Sequence, residues 1–322
     1  MRPGMQELSR IASSLSFPVE KVEKSIHLIN ILNKINTHPI LAGKTALKGG
    51  TAINLFVLDR PRLSVDIDLN YIGAAELEKL TAERPKIERA FQAVFSREGY
   101  TVRRVPNEHA GGKWRLNYQT AQGQSGNLEV DLNFMFRVPL WDIQIRDSHP
   151  IGQYNAVKTP VVDETELTAG KIAALFSRHQ VRDLFDTHQM LSFLPLDINR
   201  LRIAFVVYGA MNRRDWREIS IDDIEFDSNE LRSILESILR HDSMGCRQAF
   251  VSMSDSLVTE CREKLSAVLP FTEREKMFLN QLLDSGSIEP QLLTDDEQLQ
   301  ERIRNHPMLN WKAVNVRKTK HC

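Results

Sequence analysis

Cysteine, net charge and long apolar runs are all scarce in this 322-residue chain. Its three cysteines, Cys246, Cys261 and Cys322, show no metal-site spacing and form no even disulfide set, which fits a reducing cytoplasm. Basic and acidic residues number 42 each, so no global positive field attracts nucleic acid. Any nucleic-acid contact must therefore use local patches.

The longest apolar run, residues 203–211, is far shorter than a membrane span, and residues 1–18 lack the apolar core of a signal peptide. We therefore expect a cytoplasmic protein without membrane contact. The composition, 42% apolar and 26% charged, is that of an ordinary globular protein, and the length allows two domains.

The most informative stretch is residues 47–69, where a glycine pair precedes two aspartates in the sequence Val-Asp-Ile-Asp-Leu. Side chains alternate along a strand, so Asp66 and Asp68 leave the same face, with Cα atoms roughly 7 Å apart. Two carboxylates aimed at one point repel unless a cation lies between them, and Mg²⁺ prefers such oxygen ligands. An ordinary strand with solvated aspartates is the alternative interpretation.

The residues before these aspartates are suited to phosphate. Gly49 and Gly50 permit close approach of the backbone to a ligand. Thr51 is predicted to be the N-cap of a helix over residues 52–58, and a helix N-terminus attracts anions. The stretch thus predicts a phosphate cradle beside a metal-binding pair.

This arrangement resembles a known signature. Gly-Gly-Thr, a spacer and Arg-x-Ser-x-Asp-x-Asp-Leu (residues 62–69) resemble the AbiEii-type nucleotidyltransferase toxins of type IV toxin–antitoxin systems, in the DNA-polymerase-beta-like superfamily. The superfamily usually has serine after the glycine and a shorter spacer. Thr51 and the longer spacer of this chain are similar to the AbiEii branch.

The superfamily also carries a third carboxylate on a neighbouring strand. The matching segment is residues 127–134, in which Glu129, Asp131 and Asn133 share one strand face. The resemblance gives this role to Asp131, with Glu129 as the alternative. An amphipathic strand with a solvated face is the competing interpretation.

Residues 164–186 resemble the lysine-bearing helix of the family and its following Arg-Asp-x-x-Asp element. Lys171, Arg178 and Arg182 would form one helical stripe. The resemblance assigns Lys171 to the nucleotide phosphates and Asp186 to a catalytic or site-organising role. The alternative is a solvated helix face with an Arg182–Asp186 pair.

Periodicity and the resemblance together predict an α+β fold, with a nucleotidyltransferase-like mixed sheet, flanking helices and a C-terminal helical domain. We expect a catalytic domain over residues 1–155 and a mainly helical domain over residues 156–322 that closes over the nucleotide. The pattern predicts strands near residues 101–105, 114–120 and 127–136, a turn at residues 111–112, and a helix over residues 77–97 interrupted near Pro85.

Cations near the third strand segment are candidates for RNA contact, with Trp114 and Tyr118 between them as stacking platforms. A solvated surface is the alternative. The cations are Arg103, Arg104, Lys113 and Arg115.

The resemblance implies a metal-dependent nucleotidyltransferase with two Mg²⁺ ions on Asp66, Asp68 and Asp131. The triphosphate would lie on Gly49, Gly50, Thr51 and Lys171, and Ser64 would bind phosphate or be modified. It implies a toxin that transfers a nucleotide to RNA, such as a tRNA 3′ end, and a separate antitoxin. A small molecule of the aminoglycoside kind or a protein is the alternative acceptor. A non-catalytic nucleotide-sensing module is a further alternative, against which the intact aspartate pair argues.

Overall fold

The computed structural model describes residues 3–104, 110–240 and 247–320, without the side chains of Arg104, Arg247 and Lys320. The chain divides into two compact units. The first comprises the described parts of Met1–Arg137, Ile143–Val162 and Leu239–Ser243; the second comprises those of Val138–Asp142, Asp163–Ile238 and Met244–Cys322.

The first unit contains helices and all the strands of the described chain. Its helices are α1 (Met5–Leu15), α2 (Val19–Thr37), α3 (Gly49–Ala52) and α4 (Leu77–Arg97). Its strands are β1 (Thr45–Lys48), β2 (Asp66–Tyr71), β3 (Thr101–Arg104), β4 (Gly111–Gln119), β5 (Ser125–Asn133), β6 (Gln144–Arg146) and β7 (Thr159–Val161).

These strands form one mixed sheet in the order β3-β4-β5-β2-β1-β7-β6. β2 pairs in parallel with β5, and β1 in parallel with β7, while the other neighbours are antiparallel. The predicted fold class, α+β with a mixed sheet and flanking helices, is confirmed. Because β7 pairs with β1, the first unit extends beyond residue 155.

The regular elements of the second unit, within its described residues, are helices. Its helices are α5 (Glu164–Arg178), α6 (Val181–Phe193), α7 (Ile198–Ala210), α8 (Ser228–Ile238), α9 (Arg247–Leu265), α10 (Glu273–Asn280), α11 (Glu297–Arg304) and α12 (Pro307–Lys320). Within the ranges that the structure describes, none of these helices or those of the first unit is both long and apolar enough to cross a membrane.

Two local predictions are wrong. Gly111 and Gly112 form no turn; they begin β4 and pair with Asn133 and Leu132. α4 continues through Pro85, because buried residues on both sides of it, including Leu80 and Ile87, hold one continuous apolar face. Proline removes a single backbone hydrogen bond, and this packing offsets the loss.

Candidate active site

β2 presents the two aspartates on the polar face of the sheet. Asp66 is exposed and Asp68 is half-buried, while Ile67 and Leu69 between and after them are buried. The alternation predicted for this strand is confirmed. The burial of Ile67 and Leu69 fixes which way the carboxylates point, since a slip of one residue would turn the apolar side chains to solvent.

The carboxylates of two strands meet in one register. Asp68 of β2 lies opposite Asp131 of β5, Lys48 of β1 lies opposite Asp68, and Lys113 of β4 lies opposite Asp131. We call these four residues the acid row. Adjacent strands are about 4.8 Å apart, so two negative groups stand side by side, with a lysine at each end. Like charges directly opposite destabilise a sheet, so this arrangement favours a bound cation.

Glu129, the alternative third ligand, is already neutralised. Its carboxylate accepts from Lys113 Nζ at 3.0 Å and from Arg115 Nη2 at 2.8 Å. The hydrogen bond from Lys113, together with Arg115 and despite partial burial, lowers the pKa of Glu129. The hydrogen bond to Glu129 raises the pKa of Lys113, and the charges of Asp131 and Asp66 add to the effect. The geometry therefore favours Asp131 over Glu129.

The glycine turn differs from the prediction in one respect. Helix α3 begins at Gly49 with Lys48 as its N-cap, so Thr51 is the third helical residue and its assignment as N-cap is wrong. Gly49 has a φ of +71°, which turns the chain into the helix earlier than the pattern indicated. The N–H groups of the first helical residues have no intrahelical acceptor, so the N-terminal end of the helix, the end that favours negative charge, is at Gly49, Gly50 and Thr51. The helix continues as a π-helix over Ile53–Val57.

This turn packs directly on the acid strand. A Cβ atom at Gly49 would overlap the carboxylate of Asp68, and one at Gly50 would lie 2.9 Å from Ser64 Oγ. Thr51 is fully buried, and its hydroxyl donates to the carbonyl of Asp66 at 2.5 Å. Thr51 thus joins the helix to β2 through its side chain.

One buried cation beside the turn, Arg62, received no role in the sequence interpretation. Arg62 is buried, and its guanidinium would lie 2.9 Å from a Cβ atom at Gly50. Burial and the charge of Arg62 lower the pKa of Lys21 on α2. Arg62 precedes Ser64 in the motif, and this position was the signal in the sequence that could have identified it.

In the second unit, Lys171 forms a buried cluster. Its Nζ lies 3.0 Å from Asp183 Oδ1 and 3.0 Å from Asp186 Oδ2, and both aspartates have no exposed surface. Arg178 also donates to Asp183, at 2.8 Å. Lys171 itself is 8% exposed, so the solvated-face alternative is wrong.

The predicted cationic stripe on this helix is also wrong. Helix α5 ends at Arg178, and His179 follows it in the left-handed conformation with a φ of +50°. Arg182 therefore lies on α6, together with Asp183 and Asp186. The change of direction at His179 is what brings the aspartates of α6 onto Lys171 of α5.

The aromatic residues predicted to stack on RNA lie in the core. Trp114 is 1% exposed and stacks on Phe91 with a ring-centroid distance of 5.0 Å, and Tyr118 is also buried. The predicted stacking platform is therefore wrong. Lys113 and Arg115 lie on the opposite, polar face of β4, and Arg103 of β3 is exposed. The side chain of Arg104 lies outside the described residues.

The carboxylates of Asp66, Asp68 and Asp131 have the oxygen donors that suit magnesium. Among residues 3–104, 110–240 and 247–320, no three His, Cys, Asp or Glu side chains already converge as a complete metal site. Mg²⁺ commonly binds one or two carboxylates and completes its shell with water and substrate phosphates. The Asp68–Asp131 pair with Asp66 beside it supplies such a donor set.

Comparison with known proteins agrees with this geometry. The fold is similar to that of the MenT4 nucleotidyltransferase toxin of Mycobacterium tuberculosis, with 16% identity, a TM-score of 0.58 and coverage of 96% of this chain and 99% of that one. No curated protein matches the sequence. Residues 30–267 match the family described as nucleotidyl transferase AbiEii toxin, type IV toxin–antitoxin system. The chain therefore belongs to the AbiEii family of nucleotidyltransferase toxins.

Proposed function

We propose that this nucleotidyltransferase transfers a nucleotide from an NTP to an RNA acceptor, with a tRNA 3′ end as the first candidate. The observation that carries the proposal is the contact of the glycine turn with the acid row, where backbone N–H groups suited to phosphate lie beside carboxylates suited to a metal ion. Membership of a toxin–antitoxin family implies an antitoxin partner and an NTP substrate.

The family generally uses a divalent metal. We propose two Mg²⁺ ions on Asp66, Asp68 and Asp131; such ions lower the pKa of an attacking hydroxyl and offset the charge of the leaving pyrophosphate. The chain itself supplies the backbone N–H groups of Gly49 and Gly50, which suit the triphosphate.

Four further residues have proposed roles in nucleotide binding. The backbone N–H of Thr51 and the hydroxyl of Ser64 over Gly50 would donate to phosphate oxygens. Lys171 would hold a phosphate, and Asp186 would hold Lys171 in position through its 3.0 Å ion pair.

The polar face of β4 supports an RNA acceptor. Lys113 and Arg115 share this face with the acid row, and the exposed Arg103 lies on the neighbouring strand. Phosphate contacts by such cations position RNA and make binding sensitive to salt. The alternative acceptor is a small molecule or a protein. In the further alternative, a non-catalytic nucleotide-sensing module, the protein would have the same fold but would transfer no nucleotide.

The test incubates the purified protein with each labelled nucleoside triphosphate and, separately, total RNA, protein and small-molecule pools. We expect label in a tRNA-sized band, suppressed by salt and abolished by EDTA.

Expression of the chain alone should slow bacterial growth, and an antitoxin encoded beside it should relieve the effect. Asp68→Ala should remove label and growth arrest, whereas the exposed Asp59→Ala should retain both. If the label appeared in protein or in a small molecule instead, that molecule and not RNA would be the acceptor.

A further inference from the structure

A cavity of about 250 Å³ lies beside Asp131, lined by residues 110–113 of β4 and its approach and by residues 131–133 of β5. We propose that it binds the terminal ribose of the acceptor RNA and that Asn133 reads the 2′-hydroxyl. This inference rests on the proposed function, and the group that the cavity would recognise is the 2′-hydroxyl of the acceptor RNA.

The sheet order separates this cavity from the glycine turn. The turn follows β1 and contacts Asp68 of β2, whereas the cavity lies between β5 and β4 and contacts Asp131. The two features therefore lie on opposite sides of the Asp68–Asp131 pair. Phosphoryl transfer places the attacking and leaving oxygens roughly in line, so a triphosphate on the turn leaves the cavity side for the acceptor.

The register position two residues beyond the acid row along β2 and β5 holds two asparagines. Asn133 of β5 lies opposite Asn70 of β2, with Gly111 beyond Asn133 and Ala46 beyond Asn70. We call these four residues the amide row. Its outer members are the two smallest residue types, so the space beside the asparagines is not filled by large side chains.

The orientation of Asn133 follows from its contact. Its Oδ1 accepts from the backbone N–H of Met135 at 2.7 Å, which leaves Nδ2 as the donor toward a ligand. Asn70 is 4% exposed, and its Oδ1 has no hydrogen-bond partner within the described part of the chain. Asn133 lines the cavity whereas Asn70 does not, so the Nδ2 of Asn133 is the side-chain amide donor that faces a ligand there.

A ribose fits these groups. Its 2′-hydroxyl can accept a hydrogen bond from the amide N–H of Asn133, and it is also the group that distinguishes RNA from DNA. The cavity is smaller than the roughly 300–1,000 Å³ of pockets for drug-sized ligands, which suits a sugar better than a whole nucleotide.

The test compares two acceptor oligonucleotides that differ only in the last sugar, ribose or 2′-deoxyribose, both with a free 3′-hydroxyl. Wild-type protein should transfer to the ribose end roughly tenfold faster, as expected for one lost hydrogen bond. Asn133→Ala and Asn133→Asp should reduce this ratio to near one, with the KM for NTP unchanged.

Two variants serve as controls for this experiment. Asn133→Asp keeps the oxygen that accepts from Met135 and removes the donor, so it separates recognition from folding if Asn133→Ala melts early. Asn127→Ala changes an exposed asparagine on the same face of the same strand and should keep the wild-type ratio. Equal wild-type rates on both acceptors, or an unchanged ratio in folded Asn133→Asp, would overturn the inference alone. Failure of the wild type to label any RNA would overturn the proposed function and this inference with it.

Discussion

The carboxylate of Asp68 lies against the backbone of Gly49, so closely that a Cβ atom at position 49 would overlap it. Gly43 has the same φ of +71°, yet a Cβ atom there would meet nothing within 4 Å. Both glycines thus have a left-handed backbone, which disfavours other residues, but only at Gly49 would a side chain also overlap a neighbouring group.

This pair makes a matched test. Gly43→Ala should cost about 1 kcal/mol of unfolding free energy, from the left-handed backbone alone. Gly49→Ala should cost more and also displace Asp68, so transfer should fall at least tenfold. Urea unfolding and transfer rates on both variants check this. Equal transfer by the two variants would show that the position of Asp68 does not depend on Gly49.

Substitution of the acids should separate function from stability. Asp68→Asn and Asp131→Asn should each reduce transfer by about a hundredfold or more, because a metal ligand is lost and each ~1.4 kcal/mol is a factor of ten. Their melting temperatures without divalent metal should not fall, since a like-charge contact is relieved.

Glu129→Gln is the control for these variants, because Glu129 is neutralised by Lys113 and Arg115. It should retain transfer within about tenfold. If Glu129→Gln were as inactive as Asp131→Asn, Glu129 would have to be counted among the metal ligands.

Lys171→Ala should destabilise the protein strongly, by about 3–5 kcal/mol, because it leaves Asp183 and Asp186 buried without this partner. The triple variant Lys171→Met, Asp183→Asn, Asp186→Asn should recover most of that stability, since no buried charge remains in the cluster. Its transfer activity should stay lost if the cluster serves the nucleotide. Recovery of both stability and transfer would make the cluster purely structural.

Glu166 predicts a pH dependence of stability. Burial raises the pKa of this carboxyl to about 7, although the N–H groups of Trp141 and Leu140 and the hydroxyl of Tyr208 oppose the shift. Below its unfolded pKa both states hold the proton. As pH rises toward 7 the unfolded chain releases it first, so stability falls by about 3 kcal/mol.

Urea unfolding between pH 5 and pH 8 measures this loss. Glu166→Gln carries no titrating proton, so its stability relative to wild type should improve as pH rises. Tyr208→Phe removes a hydrogen bond that lowers the pKa of Glu166, so the loss of stability should continue to higher pH. Parallel profiles for wild type and Glu166→Gln would contradict the assignment.

Local sequence was sufficient for the acid strand, and it located the glycine turn but not the residue at which its helix begins. Side-chain direction alternates along any strand, so the shared face of Asp66 and Asp68 follows from their spacing alone. The same rule contained a signal that the interpretation overlooked. Trp114 alternates with Lys113 and Arg115, so it had to lie on the opposite face, in the core.

Tertiary structure decided what local pattern could not. Asp131 and Glu129 share one face of β5, and the choice between them depends on the pairing of β5 with β2 and on the cations of β4. The sequence left two interpretations of Lys171 open, a phosphate-binding residue and a residue on a solvated helix face; its burial depends on aspartates of the following helix. The sequence by itself determined which residue types face together, because that is a property of one strand or turn. Only the packed chain determined which of them meet, because register and burial arise from contacts between segments distant in sequence.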